Sequence, residues 1–403
     1  MKNPRKETDP AGTVARRIAD GVLLGGILIV LLAGLGRTIF FPREINEYEN
    51  RYANRLPALT AQGVLDGSFQ QGVDSALSDQ VYFSTTCKRT YNSVSSRYLN
   101  SALKPLWSSL ENEYVNYLGM RVFGPEHHII YDTRSLEEVA PALDQKAENY
   151  NRAIARNPET EFYLYFIEKD TDIEFMTGAK PGLYEYFRSQ LHLDDDHAAK
   201  FAVDGFSDFS QYFYRTDHHW NNRGSYRGYR QVAELLGVED APIEAGEEVT
   251  LPNAFVGSKA FGLGAESFSE PFSLYRFSFP AMEVTRNGEP AENYGSQEYF
   301  LTGTAGTPTY GRVYGGDDGE IVFSTGRSDR ENILVLGESF DNAILKLLAS
   351  HFNRTYSVDL RYYEAYMGKP FSLDEYLAEH EIDKVLWIGN LDCFIMQEFM
   401  LEG

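Results

Sequence analysis

Cysteine is almost absent from this chain, whose 403 residues include only Cys87 and Cys393. So few cysteines exclude the disulfide framework that holds many small secreted domains together. One bridge between the two residues and a pair of unpaired buried thiols both stay open. Neither cysteine has a histidine beside it in the sequence, which disfavours a cysteine nucleophile.

Acidic residues outnumber basic residues, and the basic excess is confined to the N-terminus. The chain has 37 Lys and Arg against 59 Asp and Glu, which gives a net charge of -22 at pH 7. A protein with this net negative charge repels polyanions, so nucleic acid is not an expected partner. Six basic residues are crowded near the N-terminus: Lys2, Arg5, Lys6, Arg16, Arg17 and Arg37.

One run near the N-terminus carries no charge. Residues 21–36 read GVLLGGILIVLLAGLG, and with its flanks the segment 18–41 is long enough to cross a bilayer. Because basic residues precede it, the positive-inside rule predicts a cytoplasmic tail over residues 1–17, a signal anchor over 18–41 and an extracytoplasmic remainder. The chain is thus expected in the cell membrane as a single-pass protein. A cleaved signal peptide is the alternative, since Gly34, Leu35 and Gly36 form a small-residue pattern.

The rest of the chain divides by composition into a stalk and a large domain. Residues 42–66 are polar and irregular and include Pro57, which is typical of a stalk. Residues 67–403 form the predicted extracytoplasmic domain. It begins with one amphipathic helical face, at Phe69, Val73, Leu77 and Val81.

Four apolar, β-prone runs predict a parallel sheet that is covered on both faces. They lie at residues 162–167, 333–336, 356–360 and 385–388. Helical segments near 340–352 and 373–380 alternate with these strands at the spacing of right-handed βαβ units. The predicted fold class is therefore α/β, with a doubly wound, mostly parallel sheet and flanking helices.

Residues 242–330 break this alternation, because they are rich in Gly, Ser, Pro and aromatic residues and show little helical spacing. We interpret them as a β-rich insertion. Within it, residues 311–314 and 320–323 resemble two strands joined by the acidic turn 315–319. The turn lacks the ligand spacing of a calcium loop, so we predict a turn without a metal.

The segment Asp217, His218, His219 places an acid and two imidazoles just before a helix that Asn221 or Asn222 can cap. In an extended loop, residues two apart point the same way, so Asp217 and His219 are the natural partners. This pattern suits a carboxylate that orients a general base. We therefore assign Asp217 as the orienting acid and His219 as the base.

A hydroxyl nucleophile is supplied by Ser339, in the turn that follows the predicted strand 333–336. A strand-to-helix turn directs backbone N–H groups at incoming negative charge, as a partial oxyanion hole does. A helix cap is the structural alternative for this serine. Together, Asp217, His219 and Ser339 indicate acyl chemistry.

The same acid and histidines could also be metal ligands. Asp217, His218 and His219 have suitable donor atoms, but no second cluster in the sequence shows recognisable ligand spacing. The run 194–197 is acidic and ends in a histidine, yet it is more typical of a solvated loop. We therefore predict neither a metal nor any other cofactor.

The pentapeptide 216–220, Thr-Asp-His-His-Trp, resembles the signature of the DHHW protein family, which is similar to the polysaccharide O-acetylation proteins of alginate biosynthesis and to SGNH-type hydrolases. Other family-like segments follow in order: 49–51, 66–69, 78–80, 224–229, 337–340 and 359–363. The resemblance implies an SGNH-like fold in which Asp217 and His219 precede the nucleophile Ser339. It also implies an oxyanion site formed by Ser339 and Asn390.

The resemblance further implies what the chain does. It suggests acetyl transfer, or acetyl-ester hydrolysis, on a cell-surface or cell-wall polysaccharide through an acyl-serine, with a membrane-bound O-acyltransferase as the partner that delivers acetyl groups. His218, Trp220 and Glu338 would support the site. The family usually has Asp before the serine, where this chain has Glu338. A catalytically silent glycan-binding or assembly protein is therefore the alternative.

Overall fold

The computed structural model describes residues 119–401 except 125, 264–267, 292–296 and 302–305. It also describes residues 21–94 except 30, 31, 35, 38, 39, 44, 47–50, 61, 62, 65, 66, 82, 83, 85, 89, 92 and 93. The chain divides into two compact units, one of Met1–Tyr48 with Tyr52–Tyr91 and the other of Glu49–Arg51 with Asn92–Gly403.

The smaller unit contains the segment predicted as a membrane anchor. Residues 21–29 are helical, whereas 18–20, 30, 31, 35, 38 and 39 of that segment lie outside the described residues. Across the part of the chain that is described, none of the helices combines the length and apolar character needed to span a bilayer.

Short strands follow at β1 (Ile45–Asn46) and β2 (Arg51–Tyr52), and then helix α1 (Ser68–Gln80). Gln80, at the end of α1, donates through its Nε2 to the carbonyls of Arg43 and Asn54, 3.0 Å away in each case. The neighbouring Asp79 accepts from the backbone N–H of Asn54 at 2.9 Å. The two polar side chains therefore attach residues 43 and 54 to α1.

The larger unit contains most of the strands and helices. Its strands are β3 (Met120–Phe123), β4 (His128–Tyr131), β5 (Glu161–Ile167), β6 (Ala198–Phe201), β7 (Glu248–Thr250), β8 (Ser273–Tyr275), β9 (Glu283–Arg286), β10 (Glu289–Pro290), β11 (Glu320–Ser324), β12 (Asn332–Leu336), β13 (Arg354–Val358) and β14 (Lys384–Asn390). Its helices are α2 (Leu136–Arg156), α3 (Leu183–Gln190), α4 (Phe206–Tyr212), α5 (Asn222–Leu235), α6 (Ser258–Leu263), α7 (Gln297–Leu301), α8 (Tyr310–Tyr314), α9 (Leu345–Ala349), α10 (Leu360–Met367), α11 (Leu373–His380) and α12 (Leu391–Ile395).

An eight-stranded mixed sheet forms the centre, in the order β10-β9-β11-β13-β12-β14-β5-β6. The five strands from β13 to β6 are parallel, which confirms the predicted strands at 162–167, 333–336 and 385–388. The strand predicted at 356–360 is confirmed as far as Val358, where it ends because Asp359 caps α10. Strands β11, β9 and β10 extend the sheet with antiparallel pairing. The sheet is therefore more mixed than the sequence predicts.

Both faces of the sheet are buried under helices. Along β5, Tyr163 and Tyr165 pack into the core on one face, and Phe162 and Leu164 pack into the core on the other. This alternation follows from the two-residue period of a strand. Helices α5 and α9 contribute to the first core, and α2, α11 and α12 contribute to the second.

The prediction of a strand at residues 311–314 is wrong. This segment is the helix α8, whose N-cap Thr309 accepts a hydrogen bond from the backbone N–H of Arg312. Its buried side chains are Tyr310, Val313 and Tyr314, and spacings of three and four place them on one helical face. Described residues between 242 and 330 thus include helices as well as strands.

Both cysteines are free thiols. Cys87 is exposed and Cys393 is buried, and burial raises the pKa of the Cys393 thiol well above its usual value. The expectation of two buried thiols is therefore confirmed for Cys393 and wrong for Cys87.

Candidate active site

The turn that carries Ser339 lies at the carboxyl edge of the parallel strands. Strand β12 ends at Leu336, and its parallel neighbour β14 ends at Asn390. Gly337 is needed in this turn, because a Cβ at this position would overlap the Asp341 carboxylate and contact Ile388. Within the described residues, the backbone N–H of Ser339 has no hydrogen-bond acceptor, so it can donate to an incoming oxyanion.

The loop that carries Asp217 and His219 is held between Phe213 and Trp220, which form an isolated β-bridge. Immediately after it, the side chain of Asn221 caps α5 by accepting from the backbone N–H groups of Arg223 and Gly224. Of the two residues predicted as possible caps, Asn221 is therefore the one that caps the helix. The cap ends the loop and leaves Asp217 and His219 a few residues before the start of α5.

The structure brings together the three residues predicted to act in catalysis. His219 Nε2 lies 2.7 Å from Ser339 Oγ, and His219 Nδ1 lies 2.6 Å from Asp217 Oδ1. Asp217 and His219 are each only 1% exposed. With the Nδ1 proton directed at Asp217, the other ring nitrogen of His219 is able to accept the Ser339 proton.

Several donors orient the Asp217 carboxylate. Its Oδ1 accepts from the backbone N–H of His219 at 3.1 Å, and its Oδ2 accepts from the backbone N–H of Ser258 at 2.8 Å. Burial alone would raise the pKa of Asp217, but the adjacent imidazoles of His219 and His218 and these hydrogen bonds hold it well below the usual range. The carboxylate is therefore ionised and fixed in orientation.

The residue before Asp217 is also fixed. Glu270 accepts from the backbone N–H of Thr216 at 2.7 Å and from its hydroxyl at 2.6 Å, and Thr216 Oγ1 accepts from the backbone N–H of Gly257 at 2.9 Å. A Cβ at Gly257 would overlap the backbone oxygen of Thr216 and the side chain of Asp217. Close approach of the 257 backbone therefore requires glycine.

His218 points to a different partner from His219. Its Nδ1 lies 2.7 Å from Ser258 Oγ, and its ring centroid is 3.8 Å from that of His219. Burial and the adjacent His219 hold the pKa of His218 well below its usual value, so His218 is neutral near pH 7. It therefore adds no positive charge beside the base.

Asp217, His218 and His219 each offer one donor atom, all within 4.8 Å of one another, so they could hold a metal ion. However, both ring nitrogens of His219 are already engaged, one by Asp217 and one by Ser339. A metal on His219 would displace one of these contacts. The observed hydrogen bonds therefore fit proton transfer better than metal ligation.

Glu338 joins the nucleophile to the end of the neighbouring strand. Ser339 Oγ is 3.0 Å from Glu338 Oε2, and Asn390 Nδ2 donates to Glu338 Oε1 at 2.9 Å. Asn390 also caps α12, where its Oδ1 accepts from the backbone N–H of Asp392. Asn390 thus reaches Ser339 through Glu338, while its role in an oxyanion hole stays a prediction.

A buried acidic group lies behind the nucleophile turn. Arg361 pairs with Asp359 at 2.6 Å and with Asp317 at 3.0 Å, and burial raises the pKa of Asp359 to about 6. Burial, with the nearby Glu338 charge, raises the pKa of Asp341 well above its usual value. The raised pKa favours the protonated form of Asp341, which limits repulsion in this acidic interior.

Tyr310 is a site residue that the sequence analysis missed. Its hydroxyl accepts from Trp220 Nε1 at 3.2 Å and donates to the backbone carbonyl of Phe340 at 3.3 Å. Trp220 directly follows His219, and Phe340 directly follows Ser339. The supporting role of Trp220 stays a prediction. Tyr310 adjoins the wrongly predicted strand, and no local sequence pattern indicated it.

Residues 203–358 match the family described as DHHW protein. The fold is similar to that of a DHHW family protein from Eubacterium siraeum, with a TM-score of 0.55, 16% identity, and coverage of 73% of this chain and 99% of the other. It is also similar to Bacillus cereus PatB1 with a sulfonyl adduct, with a TM-score of 0.54, 18% identity, and coverage of 70% of this chain and 98% of the other.

A search of curated protein sequences gives no match. At these identities the similarities establish a shared α/β fold, and the sequence match covers Asp217, His219 and Ser339. The resemblance to the DHHW protein family is therefore confirmed over residues 203–358.

Proposed function

We propose that this chain is a serine-dependent acyl-transfer enzyme that moves or removes acetyl groups on an extracytoplasmic polysaccharide. The observation that supports it most directly is the 2.7 Å contact between Ser339 Oγ and His219 Nε2, with Asp217 on the opposite ring nitrogen. A hydroxyl in this arrangement can lose its proton to the imidazole as it attacks a carbonyl carbon.

In the first half of the reaction, Ser339 Oγ attacks the acetyl carbonyl while His219 takes the hydroxyl proton. The carbonyl oxygen becomes an oxyanion within reach of the Ser339 backbone N–H, and Asn390 is a second candidate donor. When the tetrahedral intermediate collapses, the bond to the leaving oxygen breaks and His219 returns the proton to that oxygen. The product of this half-reaction is an acetyl-serine.

In the second half, a sugar hydroxyl or water attacks the acetyl-serine and gives its proton to His219. Collapse then releases Ser339, which recovers that proton. A sugar acceptor completes acetyl transfer, and water completes hydrolysis. Asp217 stabilises the imidazolium in both halves.

The substrate and cellular setting are supported by the family resemblance. DHHW proteins are similar to polysaccharide O-acetylation proteins, which suggests a cell-surface or cell-wall glycan as acceptor. In the same proposal, residues 18–41 anchor the chain in the cell membrane and a membrane-bound O-acyltransferase supplies the acetyl groups.

A non-catalytic glycan-binding protein is the second candidate, and Glu338 is the observation that favours it. Glu338 Oε2 lies 3.0 Å from Ser339 Oγ. The hydroxyl has one proton, so Glu338 competes with His219 for it. When Ser339 donates its proton to Glu338, it no longer donates to His219.

An activated acetyl ester tests the proposal, with and without an oligosaccharide acceptor. Ser339→Ala should lower kcat by at least about a thousandfold, while the matched variant Ser189→Ala, at an exposed serine of α3, should retain wild-type turnover. Acetyl mass gained by the sugar identifies transfer, and free acetate alone identifies an esterase. Unchanged turnover in Ser339→Ala refutes the triad, and a wild-type protein that binds glycan without turnover supports the second candidate.

A further inference from the structure

Three arginines form a ladder on the outer side of α5. Arg223, Arg227 and Arg230 are separated by four and three residues, which places them along one face of a helix over roughly 10 Å. The opposite face packs inward through Tyr229 and Val232. A positive stripe is unusual in this strongly acidic chain.

The ladder lines a cavity of about 720 Å³. Helix α5 contributes Tyr226 and Gln231 to its lining, α4 contributes Gln211, and β8 contributes Tyr275. A cavity of this size falls in the range of small-molecule sites. Its tyrosines and amides supply flat rings and hydrogen-bonding groups, which are suited to sugar rings and hydroxyls.

The three guanidinium groups are held to different degrees. Arg227 lies over the rings of Phe201 and Tyr212, at 4.5 and 4.7 Å, which fixes its position. Arg223 is 53% exposed and pairs with Glu248 at 3.4 Å, an exposed contact worth little to either side chain. Arg230 is exposed and has no ion pair among the residues that the structure describes.

The acidic residues in the lining do not cancel this charge. Asp240 is itself paired with Arg327 at 2.7 Å and with Arg330 at 3.2 Å. Glu234 is exposed and forms no ion pair among the residues that the structure describes. Two exposed guanidinium groups, those of Arg223 and Arg230, can therefore exchange solvent or a weak pair for an anion.

We propose that this cavity, the arginine groove, binds a segment of glycan that carries anionic groups. The guanidinium N–H groups of Arg223 and Arg230 would donate hydrogen bonds to carboxylates or phosphates. Tyr226 and Tyr275 would contact the sugar rings. Helix α5 begins at Asn222, three residues after His219, so the groove shares an element with the candidate active site. The inference rests on the proposed function in taking the bound glycan to be the acceptor.

Binding is measured by calorimetry on the full chain with Ser339→Ala, so that no turnover intervenes. The probes are a hexuronate oligosaccharide, a polyol-phosphate oligosaccharide and a neutral hexose oligosaccharide of equal length. We expect the neutral probe to bind roughly tenfold or more weakly than the better anionic probe. The anionic probe that binds more tightly identifies the source of the negative charge.

Replacing Arg223→Gln and Arg230→Gln together should raise Kd for the anionic probe roughly tenfold or more and flatten its salt dependence. The matched control, Arg134→Gln with Arg152→Gln, removes the same charge at arginines that pair with Glu138 and Glu148 elsewhere. It should bind like the parent.

Three results would overturn the inference: no binding of any probe, equal affinity for neutral and anionic probes, or unchanged Kd in the groove variant. A failure of the proposed function is seen separately, as absence of Ser339-dependent ester turnover in the wild-type chain. The binding assay does not depend on that activity, so the two failures are distinguishable.

Discussion

The phenol ring of Tyr310 lies flat against the imidazole of His219, with ring centroids 3.7 Å apart and planes inclined by 3°. The Tyr310 hydroxyl meanwhile bridges Trp220 and Phe340. One side chain therefore restricts rotation of His219 and connects its loop to the turn that carries Ser339. This makes Tyr310 a positioning residue for the Ser339–His219 contact.

Substitutions at Tyr310 should separate these two effects. Tyr310→Phe keeps the stacked ring and loses the bridge, so kcat for an activated ester should fall roughly tenfold. Tyr310→Leu loses both the stacked ring and the bridge, so its kcat should fall further. KM for the small ester should stay near the wild-type value in both variants. Steady-state kinetics provide the measurement, with Tyr314→Phe as the control. Equal kcat in Tyr310→Leu and wild type would contradict the positioning role.

The contact between Glu338 and Asn390 allows a double-mutant test of the oxyanion prediction. If Asn390 acts only by holding Glu338, then Glu338→Ala and Asn390→Ala each lower kcat roughly tenfold, and the double variant is no worse than either. If Asn390 itself donates to the oxyanion, its loss costs roughly a hundredfold even in the Glu338→Ala background. We expect the first outcome, because the Asn390 amide is already bonded to Glu338.

Gly257 should be intolerant of a side chain. In Gly257→Ala, the added methyl overlaps Thr216 and Asp217, so the loop must shift. We expect a loss of about 2 kcal/mol in the free energy of unfolding together with reduced ester turnover. Gly205→Ala is the control, since a Cβ there meets nothing within 4 Å. Thermal unfolding and kinetics of both variants test this, and similar behaviour of the two would contradict it.

Asp172 should make stability depend on pH. Burial raises its pKa to about 7, so between about pH 4 and pH 7 the folded state binds the proton and the unfolded state does not. Its contribution to stability is therefore complete below about pH 4 and is lost as the pH rises through 7.

Asp172→Asn cannot ionise, so the fall in unfolding free energy between pH 4 and pH 8 should shrink by about 4 kcal/mol. Denaturant unfolding across this range measures the difference. Asp194→Asn, at an exposed position, should leave the pH dependence unchanged. The same slope in Asp172→Asn and wild type would argue against a buried neutral carboxyl.

Local patterns predicted the parts of the site that depend on neighbours in the chain. The spacing of Asp217 and His219 placed them on one side of a loop, and the apolar run before Gly337 placed Ser339 after a buried strand. Both predictions hold because strand periodicity and turn chemistry act over a few residues. The prediction of a strand at 311–314 is wrong because Tyr310, Val313 and Tyr314 have helical spacing and are buried together. The flanking glycines did not prevent this helix from forming.

By itself, the sequence determined an α/β chain with four buried parallel strands, an Asp–His pair before a helix and a serine in a strand-to-helix turn. Only the tertiary structure decided that His219 contacts Ser339 and that Tyr310 stacks on His219. It also decided that Asn390 donates to Glu338 and that β11 joins the sheet in antiparallel orientation. The physical reason is range: periodicity and caps are local, whereas these contacts depend on the order of strands in the sheet, which brings residues more than fifty positions apart to one edge.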